Sequence, residues 1–267
     1  MTYSRYVKEN YQLCSPNSEF RNHIIDTITI HCYVGQASAD SMANWLCSPE
    51  AEASANYAIA YDGTIVGILP EERRSWCSSS PSNDHRAITI ECASDSYDPY
   101  RINPDVYNAL IKLLVDICER YFTIGKLRWR ADPTITDIAV QNMTAHRWFA
   151  PKACPGDYLY SRFGNIASEV NKIIDAKNKR PYKDGEKRKT LKRMLIYKSI
   201  GRDPISVIGI PKQTRYKYNL TKDGNVQIKA GIKVKIRDQV VVRPGCTYVK
   251  IARGWILAEF NGVKYLG

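Results

Sequence analysis

The chain has 267 residues, of which 44% are hydrophobic and 25% are charged, a composition typical of a soluble globular protein. Its first residues contain no apolar run long enough for a signal peptide, and no window approaches the ~20 apolar residues that span a bilayer. We therefore expect synthesis in the cytoplasm without a signal peptide, no membrane insertion, and a separate exit route for any role outside the cell.

Charge is divided unevenly along the chain. Residues 1–174 carry 16 Lys and Arg against 20 Asp and Glu, a net charge of −4, whereas residues 175–267 carry 23 against 7, a net charge of +16. Such asymmetry indicates two units with different partners. The second unit is expected to bind a polyanion.

Strands and helices are mixed in the first unit, which predicts an α/β fold. IDTITIHC (25–32) and HRAITIECAS (85–94) are β-branched strands, and SANYAIAYDGTIVGILP (54–70) predicts a strand pair around the Asp62-Gly63 turn. A helix begins after Asn103, a good N-cap, and two helices present an apolar face. Those faces comprise Val106, Leu110, Leu113, Leu114 and Ile117, and then Leu159, Phe163, Ile166, Val170 and Ile173.

Residues 175–190 are charged, contain Pro and Gly, and lack an apolar face, which predicts a linker. Short β-like runs separated by Gly or Pro turns follow it. They predict a small all-β module over residues 191–267, barrel-like, and similar to a Src-homology-3 barrel.

Eight cysteines form no CxxC pair in a chain that is neither short nor visibly secreted. This pattern favours mostly buried, reduced thiols over a disulfide framework.

Two strands carry polar residues that suit a functional site. His31 shares a strand face with Thr29 near the end of its strand, and Glu91 shares a face with Thr89 opposite an apolar face of Ile88, Ile90 and Cys92. Taken singly, each is compatible with a structural or surface role, because a buried carboxylate is stable only when it is paired.

The segment TAHRWFAPKACPGDY adds His146 and Cys154. With His31 these residues supply two nitrogen donors and one sulfur donor, which leaves a fourth zinc position for water, as in catalytic sites. Lys152 lies two residues before Cys154, where its ammonium would favour a thiolate and stabilise an oxyanion.

Four segments in order, HCYVGQ, SANYAIAYDGTIVG, RSWCSSSPSNDHRAITIE and QNMTAHRWFAPKACPGDYLYSRFG, carry a resemblance over residues 20–174. They resemble zinc-dependent N-acetylmuramoyl-L-alanine amidases of the peptidoglycan-recognition-protein type, notably endolysins and autolysins of clostridial phages and their hosts. The resemblance implies a mixed central sheet flanked by helices, and it makes His31, His146 and Cys154 the zinc ligands. Glu91 stands where many members place the proton-transferring carboxylate, and Lys152 where a lysine steadies the tetrahedral intermediate.

The chain departs from the family pattern at three places. Asn56-Tyr57 replaces a His-Tyr pair, Ala55 stands where some members use a catalytic tyrosine, and Trp76-Cys77 replaces Trp-His. The mechanism is therefore expected to depend on a carboxylate rather than on a tyrosine.

We therefore predict a peptidoglycan hydrolase that cleaves the amide between N-acetylmuramic acid and L-alanine with zinc as cofactor. Tyr57, Trp76 and Trp148 are the candidates for substrate contact. One alternative is a peptidoglycan-recognition module without activity. Another is a cell-wall cysteine peptidase that uses Cys32 or Cys154, although strand alternation turns Cys32 away from His31.

The expected partners are the peptidoglycan of Gram-positive walls and, through the basic module, anionic wall polymers such as teichoic acids. Nucleic acid is not expected as a partner. The predicted place of action is the cell wall, after holin-type release of an endolysin or after lysis in the case of an autolysin.

Overall fold

Residues 2–177 are described without interruption in this computed structural model, and short segments between residues 187 and 266 follow. The chain divides into two units, Met1–Ile174 and Asp175–Gly267. Of the predicted linker, residues 175–177 end the last helix and residues 187–189 form a strand, and the others lie outside the described residues. Among the described helices, none combines the length and the apolar character needed to cross a bilayer.

The first unit alternates strands and helices along the chain. Its strands are β1 (Ser18–Phe20), β2 (Thr27–Val34), β3 (Tyr57–Ile59), β4 (Ile65–Gly67), β5 (Arg73–Ser75), β6 (Ala87–Ser94) and β7 (Met143–Thr144). Its helices are α1 (Ala39–Leu46), α2 (Pro81–Asp84), α3 (Pro104–Arg120), α4 (Gly156–Tyr160) and α5 (Phe163–Lys177).

A five-stranded mixed sheet forms the centre of this unit, in the order β4-β3-β6-β2-β7. Strand β4 is antiparallel to β3, and the other three pairings are parallel. Strands β2 and β6 are buried along nearly their whole length, as parallel strands covered by helices on their faces are. The predicted α/β fold with a mixed sheet flanked by helices is confirmed.

Local sequence explains where the elements begin and turn. The β3-β4 hairpin turns at Gly63, whose φ of +79° suits glycine, and Asp62 Oδ1 accepts a hydrogen bond from Thr64 N at 2.9 Å. Asn103 caps α3 by accepting from Val106 N at 3.0 Å. The predicted apolar face of α3 is buried, and on α5 Ile174 rather than Ile173 completes the buried face.

Tyr57 lies in the core and not in a groove. It is fully buried on β3, an internal strand, and its hydroxyl donates to Glu71 Oε1 at 2.5 Å and accepts from Ser4 N at 2.8 Å. Burial and the neighbouring Glu71 raise the pKa of the Tyr57 hydroxyl well above its usual value. The prediction that Tyr57 contacts substrate is therefore wrong, because internal strands bury both faces.

The carboxylate of Glu71 is the centre of a buried polar cluster. The carboxylate is fully buried and accepts from Tyr57, from both terminal nitrogens of Arg120 and from Tyr121. Such a cluster stabilises a fold only while every member is satisfied. Removal of its single negative charge leaves Arg120 in low-dielectric surroundings with less compensation.

We expect Glu71→Gln to lower the free energy of unfolding of the first unit by about 2 kcal/mol, since Arg120 loses its charged hydrogen bonds to Glu71 and keeps Asp116, 2.9 Å away, as an anionic partner. The control is Glu169→Gln, a substitution of an exposed residue, which should change the free energy of unfolding by less than about 0.5 kcal/mol. Urea titration followed by tryptophan fluorescence measures this, because four of the five tryptophans lie in the first unit. Equal midpoints for the two variants would contradict the structural role of Glu71.

From residue 187 onward every described element is a strand. The strands are β8 (Lys187–Lys189), β9 (Met194–Leu195), β10 (Tyr197–Ser199), β11 (Arg202–Pro204), β12 (Tyr218–Leu220), β13 (Val226–Ile228), β14 (Lys233–Lys235), β15 (Asp238–Arg243), β16 (Cys246–Ile251), β17 (Gly254–Phe260) and β18 (Val263–Lys264). The largest sheet has the order β11-β10-β17-β16-β15, with β18 paired to β17. The described elements of this unit are strands, and the all-β module, its closed barrel and its Src-homology-3 likeness stay predictions.

Candidate active site

The parallel pairing of β2 with β6 places His31 directly beside Glu91. Their side chains face the same side of the sheet, and His31 Nδ1 lies 4.0 Å from Glu91 Oε1. The His31 side chain is fully buried, and the Glu91 side chain is 16% exposed. The two strands therefore bring together two polar residues that are sixty positions apart in the sequence.

Strand β7 delivers His146 to the same place. It pairs in parallel with β2, and the hydroxyls of Thr29 and Thr144 lie 2.7 Å apart across the pair. The chain then enters a 3₁₀ turn, His146–Trp148. In this turn the His146 ring centroid lies 5.1 Å from that of His31, with the ring planes inclined by 60°.

The Cys-Pro-Gly loop returns the chain to this turn. Arg147 N donates to Cys154 O at 3.0 Å, and Arg147 Nη2 donates to Ala153 O at 2.6 Å. Gly156 has φ +77°, and a Cβ there would lie 2.7 Å from Tyr100 Cβ, so only glycine fits. This geometry holds Cys154 at the site.

The three predicted zinc ligands meet. Cys154 Sγ lies 3.3 Å from His31 Nδ1, and ligand atoms of His31, His146 and Cys154 all lie within 4.8 Å of one another. Tetrahedral zinc with nitrogen at ~2.1 Å and sulfur at ~2.3 Å holds those two donors ~3.6 Å apart. His31 Nε2 is buried without a hydrogen-bond partner among the described residues. The donor set and its spacing fit zinc.

Burial dominates the protonation of these groups. It lowers the pKa of His31 to about 3, with a further contribution from His146, so the ring is neutral as a metal ligand must be. Burial also raises the pKa of Glu91 to about 7. The adjacent Cys32 thiol, together with burial, raises the pKa of Cys154, which makes its thiol a poor nucleophile unless a cation displaces the proton.

Cys32 itself lies nearer to the site than strand alternation predicted. The prediction turned it away from His31, yet its thiol neighbours that of Cys154.

A loop between β5 and α2 borders the other side of the site, and of its residues the sequence predicted a role only for Trp76. Cys77 Sγ lies 3.6 Å from Glu91 Oε1, and the Asp84 carboxylate accepts from the backbone N–H groups of Cys77 and Ser78 at 3.1 Å. Ser79 Oγ lies 3.2 Å from His146 Nε2, a contact that orients the ring. The run of small polar residues in this loop offers no periodic signal from which these contacts could be predicted.

A groove of about 400 Å³ opens beside His146. Its lining includes Lys152, Trp76, Arg74 and Cys77. Trp76 is 39% exposed and Lys152 is exposed, so both are accessible to a bound molecule. Both residues thus lie beside the proposed metal ligand His146, as the sequence predicted, and the contact of Trp76 with substrate stays a prediction.

Trp148 does not line this groove. Its ring stacks on Trp129 at 5.0 Å with an interplanar angle of 2°, and its Nε1 donates to Tyr160 Oη at 3.1 Å. It borders a separate cavity of about 220 Å³ next to Thr144. Trp148 therefore packs the 3₁₀ turn against the helices, and its predicted contact with substrate has no support in this geometry.

The sequence matches the family described as N-acetylmuramoyl-L-alanine amidase over residues 21–157, just over half of the chain. The chain therefore belongs to this family. The matched range contains His31, Glu91, His146 and Cys154, which meet at the site, and Lys152, which lines the groove.

Three of the solved structures that are similar to this chain are 19–20% identical to it. PlyL is 20% identical, with 61% of this chain and 92% of that chain covered and a TM-score of 0.43. A selenomethionine derivative of AmpD is 19% identical, with 62% and 99% covered and a TM-score of 0.46. The N-acetylmuramoyl-L-alanine amidase LysC from Clostridium intestinale is 20% identical, with 62% and 96% covered and a TM-score of 0.44. The search of curated proteins found no match.

Proposed function

We propose that the chain is a zinc-dependent N-acetylmuramoyl-L-alanine amidase, which hydrolyses the amide between the lactyl group of N-acetylmuramic acid and L-alanine in peptidoglycan. One observation carries the proposal: Glu91 lies 4.0 Å from a histidine that also contacts Cys154 at 3.3 Å. A carboxylate beside a set of two nitrogens and one sulfur is the arrangement that metal-assisted hydrolysis requires.

His31, His146 and Cys154 would hold the zinc. When bound, zinc supplies a Lewis acid that polarises the scissile carbonyl and lowers the pKa of a water molecule. Glu91 takes the proton of the attacking water and delivers it to the leaving amine. The exposed ammonium of Lys152, beside His146 in the groove, stabilises the negative charge that develops on the carbonyl oxygen.

The proton acceptor distinguishes this function from a recognition module without activity. Such a module needs a groove for muramyl peptides but has no need of a carboxylate buried beside three potential metal ligands. Burying Glu91 with one oxygen unpartnered among the described residues destabilises the fold. That cost is understandable if the carboxylate works in proton transfer.

The cysteine peptidase alternative requires a reactive thiol. Cys154 is largely enclosed between Cys32 and His31, and its pKa is raised, whereas catalytic thiols have lowered pKa values. The geometry supports Cys154 as a ligand rather than a nucleophile.

Mass spectrometry of digested Gram-positive walls tests the reaction directly. We expect new amino termini on L-alanine and intact N-acetylmuramic acid, since only the lactyl amide is cut. New reducing sugar ends, or new amino termini elsewhere in the peptide stem, would assign the enzyme to another class of wall hydrolase.

The second unit is proposed to bind the cell wall through anionic polymers. Residues 175–267 carry a net charge of +16, which attracts polyphosphates over long range and is screened by salt. We expect the full chain to sediment with purified walls, to lose that binding as salt rises, and to bind less to walls stripped of teichoic acid. Binding to DNA with none to walls would overturn this assignment.

Release through a holin-type route as a phage or prophage endolysin, the clostridial origin, and the autolysin alternative stay predictions from the sequence.

A further inference from the structure

Cys77 stands where the resembled family carries a histidine, and its thiol contacts the proposed proton acceptor. Cys77 Sγ lies 3.6 Å from Glu91 Oε1, which in turn lies 4.0 Å from His31 Nδ1. Ligand atoms of these three residues all lie within 4.8 Å of one another. A thiol and a carboxylate therefore converge beside His31, which is also one of the proposed zinc ligands.

This group differs from the first donor set. His31 is the member that the two sets share, and Cys77 and Glu91 are absent from the set of His31, His146 and Cys154. An ion held by the first set leaves Cys77 and Glu91 without a metal. Glu91 Oε2 is buried and has no hydrogen-bond partner among the described residues, so a carboxylate oxygen there has lone pairs free for a cation.

We propose that Cys77 and Glu91, next to His31, form a second metal position that binds a thiophilic divalent cation such as Zn²⁺ or Cd²⁺, and that its occupation inhibits the enzyme. A thiolate donor such as that of Cys77 selects such cations over Mg²⁺ or Ca²⁺. Binding forms metal–sulfur and metal–oxygen bonds, and the proton of the Cys77 thiol is released to solvent. Cys77 lines the groove, through which an ion can enter.

The second position fills after the first. Two divalent cations separated by a few ångströms repel each other, and the second must also displace a thiol proton. The first set also loses one thiol proton, that of Cys154, but it binds its ion before any other cation is present nearby. We therefore expect the second ion to bind at metal concentrations above those that saturate the first.

Inhibition follows from the use of Glu91, and this part rests on the proposed function. A carboxylate bound to a cation cannot accept the proton of the attacking water. Loss of general-base assistance lowers rates by about 10²- to 10⁴-fold. Activity is therefore expected to fall to below about one-tenth as the second position fills.

The test compares full-length wild-type protein with Cys77→Ser and with Cys14→Ser, which removes an exposed thiol elsewhere. Serine keeps a hydrogen-bond donor for Glu91 but is a poor ligand for thiophilic ions. Each metal-free protein is dialysed against increasing Zn²⁺, and bound zinc is counted by elemental mass spectrometry. Wild type and Cys14→Ser should each bind one ion more than Cys77→Ser, and near-ultraviolet circular dichroism checks that all three are folded.

The rate of wall hydrolysis is measured at each zinc concentration of the same series. For each protein, this rate is compared with the rate of that protein at one equivalent of zinc. Excess zinc should inhibit wild type and Cys14→Ser and leave Cys77→Ser largely unaffected. Equal zinc counts for wild type and Cys77→Ser would overturn the second position. If no variant releases L-alanine amino termini, the proposed function fails, while the difference in bound zinc still decides whether the position exists.

Discussion

Glu91→Gln is expected to lower the turnover of wall hydrolysis by about 10²- to 10⁴-fold, because glutamine cannot accept the proton of the attacking water. The amide has nearly the same shape as the carboxylate, so it can keep the contact with Cys77, which lies 3.6 Å away. At one equivalent of zinc the metal content should stay at the wild-type level, since the proposed ligands of the first ion are His31, His146 and Cys154. Release of peptide stems, measured by mass spectrometry, is the readout.

The matched control for this variant is Glu52→Gln. Glu52 is an exposed carboxylate that lines the same groove, so its substitution removes one negative charge from the groove without touching the donor sets. We expect its turnover to stay within about threefold of wild type. Full activity of Glu91→Gln would exclude this residue as the proton acceptor, and loss of the first zinc ion from the variant would give Glu91 a structural role instead.

His31→Ala and Cys154→Ser should each remove zinc and lower turnover by about 10³-fold or more, since a Lewis acid supplies several kcal/mol of transition-state stabilisation. His31 is fully buried at the centre of both donor sets, so its loss should be the more severe. Cys14→Ser, which changes an exposed thiol, is the control and should keep both zinc and activity.

Chelation separates zinc chemistry from thiol chemistry in the wild-type protein. EDTA should abolish hydrolysis and added zinc should restore it, while iodoacetamide at low dose should have little effect on the zinc-loaded enzyme. Activity that survives EDTA but is lost to iodoacetamide would establish the cysteine peptidase alternative and reject the zinc site.

Residues with a strong local signal were predicted well. Asn103 caps α3, the Asp62-Gly63 turn joins β3 and β4, and the apolar face of α3 is buried. These features depend on hydrogen bonds between residues close in sequence and on helical or strand periodicity. Sequence is sufficient for them because the physical cause is itself local.

Two of the three aromatic candidates for substrate contact, Tyr57 and Trp148, do not line the groove, and the reason is not local. Tyr57 is fully buried against Glu71, and Trp148 stacks on Trp129. An aromatic side chain near a functional segment fits a groove or a core equally well, and which of these it occupies depends on elements distant in the sequence. Of the three candidates, only Trp76 lies at the groove.

By itself the sequence determined which chemistry is present: two histidines, a cysteine, a carboxylate and a lysine of the types that zinc hydrolysis uses. The tertiary structure decided their arrangement. The parallel register of β2 and β6 sets His31 beside Glu91, and the close packing of Gly156 on Tyr100 returns Cys154 to His31. It also set Cys77 against Glu91. Contacts of this kind join segments far apart in the chain, and they follow from strand pairing and loop packing rather than from any local pattern.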